Sequence, residues 1–501
     1  MTQSWRPAWR KILDGTRGSH ERLLSASQDC QGTQALVLKE ILYASSKTDF
    51  GRTHDFASIR NYSEFAQRVP VQDYESLSPW IKRIEGGERD VLFPQAPVIF
   101  ERTGGSTSGE KIIPYTARST TAFQDAVFPW IQDLLTEIPK ITEGRCYWAL
   151  SPATRASERT SSGTPIGAPD AYYFGEELDL LPILAVPGEV GAIQDLDLWR
   201  QATLEHLIKA EDLSLISVWS PTFFLELLEW LPDHLPKLDL QAHSHARVVA
   251  ALKSGDFNLL WPALQLISCW SDGPSSFFAS ELARKFPGVR MQGKGLLATE
   301  SAVSIPLLGT EAPLLALLSA FFEFASPTGE IIQPHAATLG TSYRVLVSGF
   351  SGLYRYDLGD SVQVVGWRGS TPLIRFQGRD QTSDLCGEKL SESFVIRCLE
   401  RILPGRFAML VARQQPQRGY VLVTDQPTDS RDLESIRFKM ESELCLNPQY
   451  AYALKLGQLA PLQAKSIPQA RTQYLESERA RGRKLGTIKM SALLSIAPSW
   501  L

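Results

Sequence analysis

"GGSTSGEK", residues 104–111, strings glycine and hydroxyl side chains together and ends them on a lysine. Such a loop gives up side-chain packing and carries high backbone entropy, so it is tolerated where it binds something or lies exposed as a turn. The Walker A pattern asks for Gly, four residues, then Gly-Lys-Ser/Thr. Gly104 and Gly109 have that separation, but Glu110 stands where the lysine belongs, which excludes an ordinary P-loop. The ingredients still suit phosphate: glycines admit close backbone approach, Ser106, Thr107 and Ser108 donate hydroxyls, and Lys111 adds charge. The preceding PVIFERT reads as a strand, and ligands of α/β sheets gather at strand ends. On its own the stretch fits a phosphate loop and a surface turn equally.

Toward the amino end, RLLSASQ, QALVLKEILYAS and NYSEFAQRV repeat apolar positions at three and four, which predicts a helical lead-in. From Ile81 onward, short apolar runs broken by glycine and proline alternate with helical stretches such as LISVWSPTFFLELLEWL, so the fold class is α/β or α+β. Near the carboxyl end, FQGRDQTSDLCGEKLSESFVIRCLERIL passes from strand through a polar loop to an amphipathic helix, which places a boundary near Gln377. FAMLVAR and GYVLVTD read as strands, with helices around 432–443 and 473–483, so residues 1–377 form a large domain and 378–501 a small α+β one.

Composition narrows the function. A net charge of −4 over 501 residues leaves no basic field for nucleic acid or an anionic membrane. Six cysteines lie far apart with no CxxC pair, which argues against a zinc ribbon, a redox dithiol or a disulfide framework. The amino end has no continuous apolar core of a secretory signal, and the run 314–322 is too short to span a bilayer. A cytoplasmic, monomeric protein is expected.

Three further stretches follow the loop in order. In "GKGLLATES" (293–301) a Thr299-Glu300 pair ends an apolar segment, where a carboxylate suits a magnesium ion held by phosphates. In "LYRYDLGDSV" (353–362) Asp360 follows a glycine turn and suits the hydroxyls of a ribose. "GRDQTSDLCGEKL" (378–390) puts charge and glycine in the interdomain stretch. Taken singly, Asp360 is equally a turn cap, Glu300 a surface carboxylate and Lys489 a solvated lysine. His243 and His245 have no acidic or sulfur ligand at helical spacing, and Cys386 reads as an incidental thiol. The aromatic stretch 219–231 has core spacing, with one face open to lining an acyl pocket; 172–174 is a similar candidate.

In this order the segments resemble the adenylate-forming superfamily, and most closely the Gretchen Hagen 3 family, the auxin-responsive acyl acid amido synthetases. TSGEK, LLATE and YRYDLGD look like the family's Thr/Ser/Gly loop ending in lysine, its small-residue stretch ending in Ser-Glu, and its YRYxxGD element. FFEF (321–324) and LWPALQLISCWSDG (260–273) are fainter echoes, and Leu296 stands where the family has a tyrosine. The resemblance implies a large N-terminal α/β domain, with β-sheets, flanking helices and a small β-barrel-like part, and a small mobile C-terminal domain. It implies that Ser106, Thr107, Ser108, Gly109 and Lys111 hold the β- and γ-phosphates of ATP. Thr299 and Glu300 would meet the α-phosphate and Mg²⁺, Asp360 the ribose, and Arg379 a ribose or phosphate oxygen. RARGRKLGTIKM (479–490) makes Lys489 the catalytic lysine, with Lys484 as its competitor. Substrates would be a small carboxylic acid and an amine such as an amino acid. A thioester-forming ligase and a non-catalytic nucleotide-binding protein are the alternatives.

Overall fold

RCYW, LSLIS, LISC and RMQG form a four-stranded parallel sheet, Arg145–Trp148, Leu213–Ser217, Leu266–Cys269 and Arg290–Gly293 in that order. The computed structural model describes residues 5–102, 111–149, 158–167, 181–379, 382–425, 429–483 and 485–501. Successive strand residues point to opposite faces, so Tyr147, Ile216 and Ile267 enter one core while Cys146, Leu215 and Leu266 enter another. With both faces covered, the strands read as apolar runs rather than alternations. Helices Leu196–Lys209, Pro221–His234, Ala242–Ser254 and Ser276–Lys285 cover the first face. Trp5–Ala26 and Ala117–Glu137 cover the second. Pro221–His234 opens on its proline, whose missing N–H costs nothing at a helix start, and buries Phe224, Leu227, Leu228 and Leu231 at helical spacing. The expectation that 219–231 is mainly core is met there; Trp219, just before the helix, belongs to the site below.

Beside this layer lies a seven-stranded antiparallel sheet. Its central strands Phe321–Ala325, Ser342–Ser348, Tyr356–Arg368 and Thr371–Arg379 pair in sequence order, and helices from Cys30–Ser45 to Tyr74–Glu85 cover its apolar face. FFEF and YRY are two halves of one buried ion pair: Arg355 donates to the Glu323 carboxylate at 2.9–3.1 Å and to the Ala66 and Val69 carbonyls at 2.8 Å. Removing either partner would strand a buried charge, at about 3–5 kcal/mol.

The C-terminal segment carries a four-stranded sheet, Gln463–Ser466, Gly419–Thr424, Ala408–Arg413 and Leu493–Leu494 in that order. Leu410, Ala412, Tyr420 and Leu422 face its own helices, Glu392–Ile402, Ser430–Leu444 and Pro448–Lys455. Met409, Val411, Val421 and Val423 face the other way, into the core that covers the parallel sheet. The helix expected over 473–483 runs Ala470–Ala480, because Gly482 leaves the helical path at φ +83°. The position of the expected boundary, Gln377, falls within the strand Thr371–Arg379.

Ion pairs rim that shared core. Arg471 donates to the Glu229 carboxylate at 2.6 and 2.7 Å and to Glu281 at 3.3 Å. Near it, Glu226 Oε2 is buried without a hydrogen-bond partner among the described residues, 3.9 Å from Arg200. Burial pushes the Glu226 carboxyl up to about 7, against the pull of Arg200 and Arg471. Below its ordinary 4.5 the group is protonated in both folded and unfolded chains; above about 7 it is ionised in both, and the folded chain alone bears the desolvation. Stability from this group therefore falls as pH rises between those values. Urea unfolding at both ends of the window is expected to show Glu226→Gln less pH-dependent than the parent and more stable at the alkaline end, by roughly 3 kcal/mol. Parallel pH profiles of the two proteins would refute the assignment.

Candidate active site

YDLGD opens the strand Tyr356–Arg368, with Gly359 at φ +69° turning the chain so that Asp360 points inward, 0% exposed. The register of the next strand sets Arg379 directly opposite Asp360. Arg379 Nε donates to Asp360 Oδ1 at 2.9 Å, and Asp360 holds the guanidinium firmly in its charged form. Asp360 Oδ2 is buried with no hydrogen-bond partner among the described residues. A native protein rarely leaves a carboxylate oxygen in that state, and a ligand hydroxyl would satisfy it.

Thr299 and Glu300 are the two tip residues of a tight hairpin, closed by the Ala298 N–H on the Ser301 carbonyl at 3.0 Å and by the pairing of Leu297 with Ala302. Gly295 makes the approach to this tip possible: at φ +72° a Cβ there would come within 2.4 Å of the Ser304 carbonyl oxygen. The Tyr115 hydroxyl donates to the Thr299 carbonyl and fixes the tip. Enclosure by protein pushes the Glu300 carboxyl above its ordinary range; Arg379 and Lys111 pull it down and Asp360 opposes them. Lys111 stands 5.4 Å over the Tyr74 ring. Ser106, Thr107, Ser108 and Gly109 lie outside the described residues, as do Lys484 and 172–174.

Lys489 approaches from the C-terminal sheet. Its Nζ lies 5.3 Å over the Trp270 ring, and the Tyr474 hydroxyl donates to its carbonyl at 3.1 Å. Water reaches it through the cleft, yet the walls around it and the Arg379 guanidinium hold its pKa below the ordinary lysine value, against Asp360, Glu300 and Glu392. The cleft, about 850 Å³ counting its open mouth, is walled by Trp270, Lys294 and Phe376 from one side and Glu392 and Lys489 from the other. Of the expected residues, Lys489, Arg379, Asp360 and Glu300 thus share one electrostatic cluster, and Lys111 acts on it through Glu300.

Two residues were not legible in the chain. Glu392 Oε1 accepts from the Ser491 hydroxyl at 2.6 Å and the Ala492 N–H at 2.8 Å, fastening the Lys489 loop to the start of its helix across 99 residues of sequence. Lys294, on the cleft wall, carried one signal: it stands between two glycines. His243 Nε2 sits 3.1 Å from Glu211, and burial and Glu388 push the Cys386 thiol up to about 11, which keeps it protonated. All six cysteines are free, and no described helix is long and apolar enough to cross a membrane.

Among the described residues no three His, Cys, Asp or Glu side chains converge as a metal cage. A single enclosed carboxylate such as Glu300, repelled by Asp360 and drawing on neighbouring cations, is nonetheless the donor set that suits a Mg²⁺ carried mainly by phosphates. The unpartnered Asp360 Oδ2 fits the sugar of the same nucleotide.

A parallel sheet beside an antiparallel one, with a C-terminal lysine brought over the cleft between them, is the fold of the adenylate-forming ligases. A 2-hydroxyisobutyryl-CoA ligase, solved in the postadenylation state with its acyl-AMP, superposes with a TM-score of 0.53 at 12% identity over 89% of this chain and 87% of that one. Within that class the chain belongs to the GH3 family: the family's N-terminal domain matches residues 19–245 and its central domain residues 314–379. A GH3.15 acyl acid amido synthetase superposes with a TM-score of 0.83 at 17% identity over 96% of this chain and 94% of that one. In sequence, the indole-3-acetic acid-amido synthetase GH3.3 of Arabidopsis thaliana is 21% identical over 93% of this chain and 89% of its own length. The probable indole-3-acetic acid-amido synthetase GH3.7 of Oryza sativa subsp. japonica is 25% identical over 76% and 74%.

Proposed function

We propose that the protein is an ATP- and Mg²⁺-dependent acyl acid amido synthetase. It activates a small carboxylic acid as an acyl adenylate, releasing pyrophosphate, and passes the acyl group to the amine of an amino acid, releasing AMP. The observation that carries this reading is the convergence of Glu300, Asp360, Arg379 and Lys489, from four separate stretches of sequence, in one electrostatic cluster beside the cleft.

A carboxylate is a poor acyl donor because resonance and charge repel nucleophiles; displacement at the α-phosphate of ATP converts it into a reactive anhydride. That step asks the protein for positioning and charge neutralisation more than for covalent chemistry. Lys489 steadies the acid's carboxylate and the α-phosphate, while Lys111 and residues 106–109 hold the departing β- and γ-phosphates. Thr299 borders the α-phosphate, Asp360 takes the ribose hydroxyls, and Arg379, already oriented by Asp360, supplies a further cation. Glu300 would hold a Mg²⁺ brought in with the phosphates, and that ion would supply Lewis-acid neutralisation of phosphate charge. The small domain, residues 378–501, reorients between the two steps and clears Lys489 from the cleft for the amine. Six unpaired cysteines support a reducing, cytoplasmic setting.

The test is pyrophosphate release from ATP and Mg²⁺ with pooled carboxylic acids, with and without pooled amino acids or coenzyme A, followed by product mass. Release that needs an acid, and an amide product, are expected. A thioester product would make it a thioester ligase; silence in every pool while ATP still binds would replace the enzyme reading with a nucleotide-binding one.

Glu300 supplies a second check. Its folded pKa is raised, so above its ordinary 4.5 the ligand-free fold bears the cost of ionising it. Glu300→Gln is therefore expected to raise the melting temperature of the nucleotide-free protein at neutral pH while impairing turnover. A lower melting temperature would mean that the carboxylate is structural.

A further inference from the structure

Lys294 has no part in the chemistry above, yet it is only 5% exposed and lies on the wall of the same cleft as Lys489. It follows directly on the strand Arg290–Gly293, at the carboxyl edge of the parallel sheet, where such sheets receive ligands. Its ammonium donates to Ser217 Oγ at 2.7 Å, from the end of another strand of that sheet. The Trp130, Trp148 and Trp219 rings surround it, with centroids 4.9, 5.7 and 5.3 Å away. Such faces offset part of the cost of burying a cation. Trp219 and Trp270 stand 6.1 Å apart; Lys294 lies over the first and Lys489 over the second. The cleft wall therefore combines the Trp270 and Phe376 rings with the ammonium groups of Lys294 and Lys489.

We propose that Lys294 sets the acid specificity: it binds an acceptor oxygen at the end of the acid remote from the carboxyl that Lys489 attends. The preferred substrates are then flat aromatic acids bearing a second oxygen function, a carboxylate or a hydroxyl. This rests on the reading of the cleft as an acyl-activating site.

The experiment compares phenylacetate and phenylpropanoate, each with its para-carboxy, para-hydroxy and para-methyl derivatives, as substrates for acid-dependent ATP–pyrophosphate exchange. The parent protein is expected to favour the oxygen-bearing members over the para-methyl ones by about tenfold or more in kcat/KM. Lys294→Met is expected to bring that ratio to about one, and Lys294→Arg to keep it. A purely structural lysine would lower every acid alike and leave the ratio where it was, which would overturn the proposal. So would exchange by the parent without preference, or exchange with other pooled acids but none of these. Silence with every acid would overturn the functional reading itself and this inference with it. Should Lys294→Met fail to melt cooperatively, Lys294→Gln, which is one bond shorter and keeps a donor but loses the charge, is expected to diminish the preference for the para-carboxy acid.

Discussion

Lys489→Ala will slow acid-dependent pyrophosphate release by about 10²- to 10³-fold, the usual cost of losing one preorganised electrostatic group, while ATP still binds. The geometry gives the lysine little to do in ground-state binding: Arg379 already holds Asp360, and Lys111 already acts on Glu300. In the proposed reaction, what Lys489 would add is a cation between the acid and the α-phosphate, where charge gathers only as the bond is made. A second readout follows from its depressed pKa. The protonated form is the active one, so the rate falls as pH rises through that pKa, and the alkaline limb comes below the ordinary lysine value of 10.5. Lys489→Arg, which does not titrate there, removes the limb at some cost in rate. Undiminished turnover in Lys489→Ala would show that the catalytic cation is another, with Lys484 the next to replace.

Glu392 explains why that lysine is placed so well. It ties Ser491 and Ala492 to the first turn of the helix Glu392–Ile402, so the Lys489 loop moves with the helix rather than apart from it. Arg471 performs the complementary task at the far edge, joining the helix Ala470–Ala480 to Glu229 and Glu281 on the helices that cover the parallel sheet. The lysine's reach into the cleft is a property of the docked sheet as a whole.

The candidate site was legible in the order of its motifs, because a hairpin tip and a glycine turn are local chemistry written in consecutive residues. What depends on register or docking was not legible there. Asp360 and Arg379 were both legible singly, but their pairing follows from how two strands align. FFEF and YRY were legible as echoes of a family, but not as the two sides of the Glu323–Arg355 ion pair. FAMLVAR read as a strand, which runs Ala408–Arg413, and nothing in it says that one of its faces meets the protein's other core. Lys294 was hidden for a simpler reason. A lysine is expected at the surface, and only the spatial convergence of three tryptophans makes this one an interior residue.

Asp360→Ala will weaken ATP binding itself, by about 10²-fold or more, if its carboxylate takes two ribose hydroxyls; hydrogen bonds to a charged group contribute roughly 1.5–3 kcal/mol each. The contrast with Lys489 is in which quantity moves: the dissociation constant of ATP for Asp360, the rate at saturating ATP for Lys489. A structural role must be separated from this one, since the substitution also strips Arg379 of its partner. Asp360→Asn does that. Its amide oxygen can still accept from Arg379 Nε, and its NH₂ can meet only the acceptor side of a ribose hydroxyl, so the fold is kept while the ribose contact is impaired. Nucleotide affinity is expected to fall in both variants, with the melting temperature falling mainly in Asp360→Ala. Unchanged affinity in Asp360→Asn would assign the carboxylate to Arg379 alone, and the buried, unpartnered Oδ2 would then need another ligand to account for it.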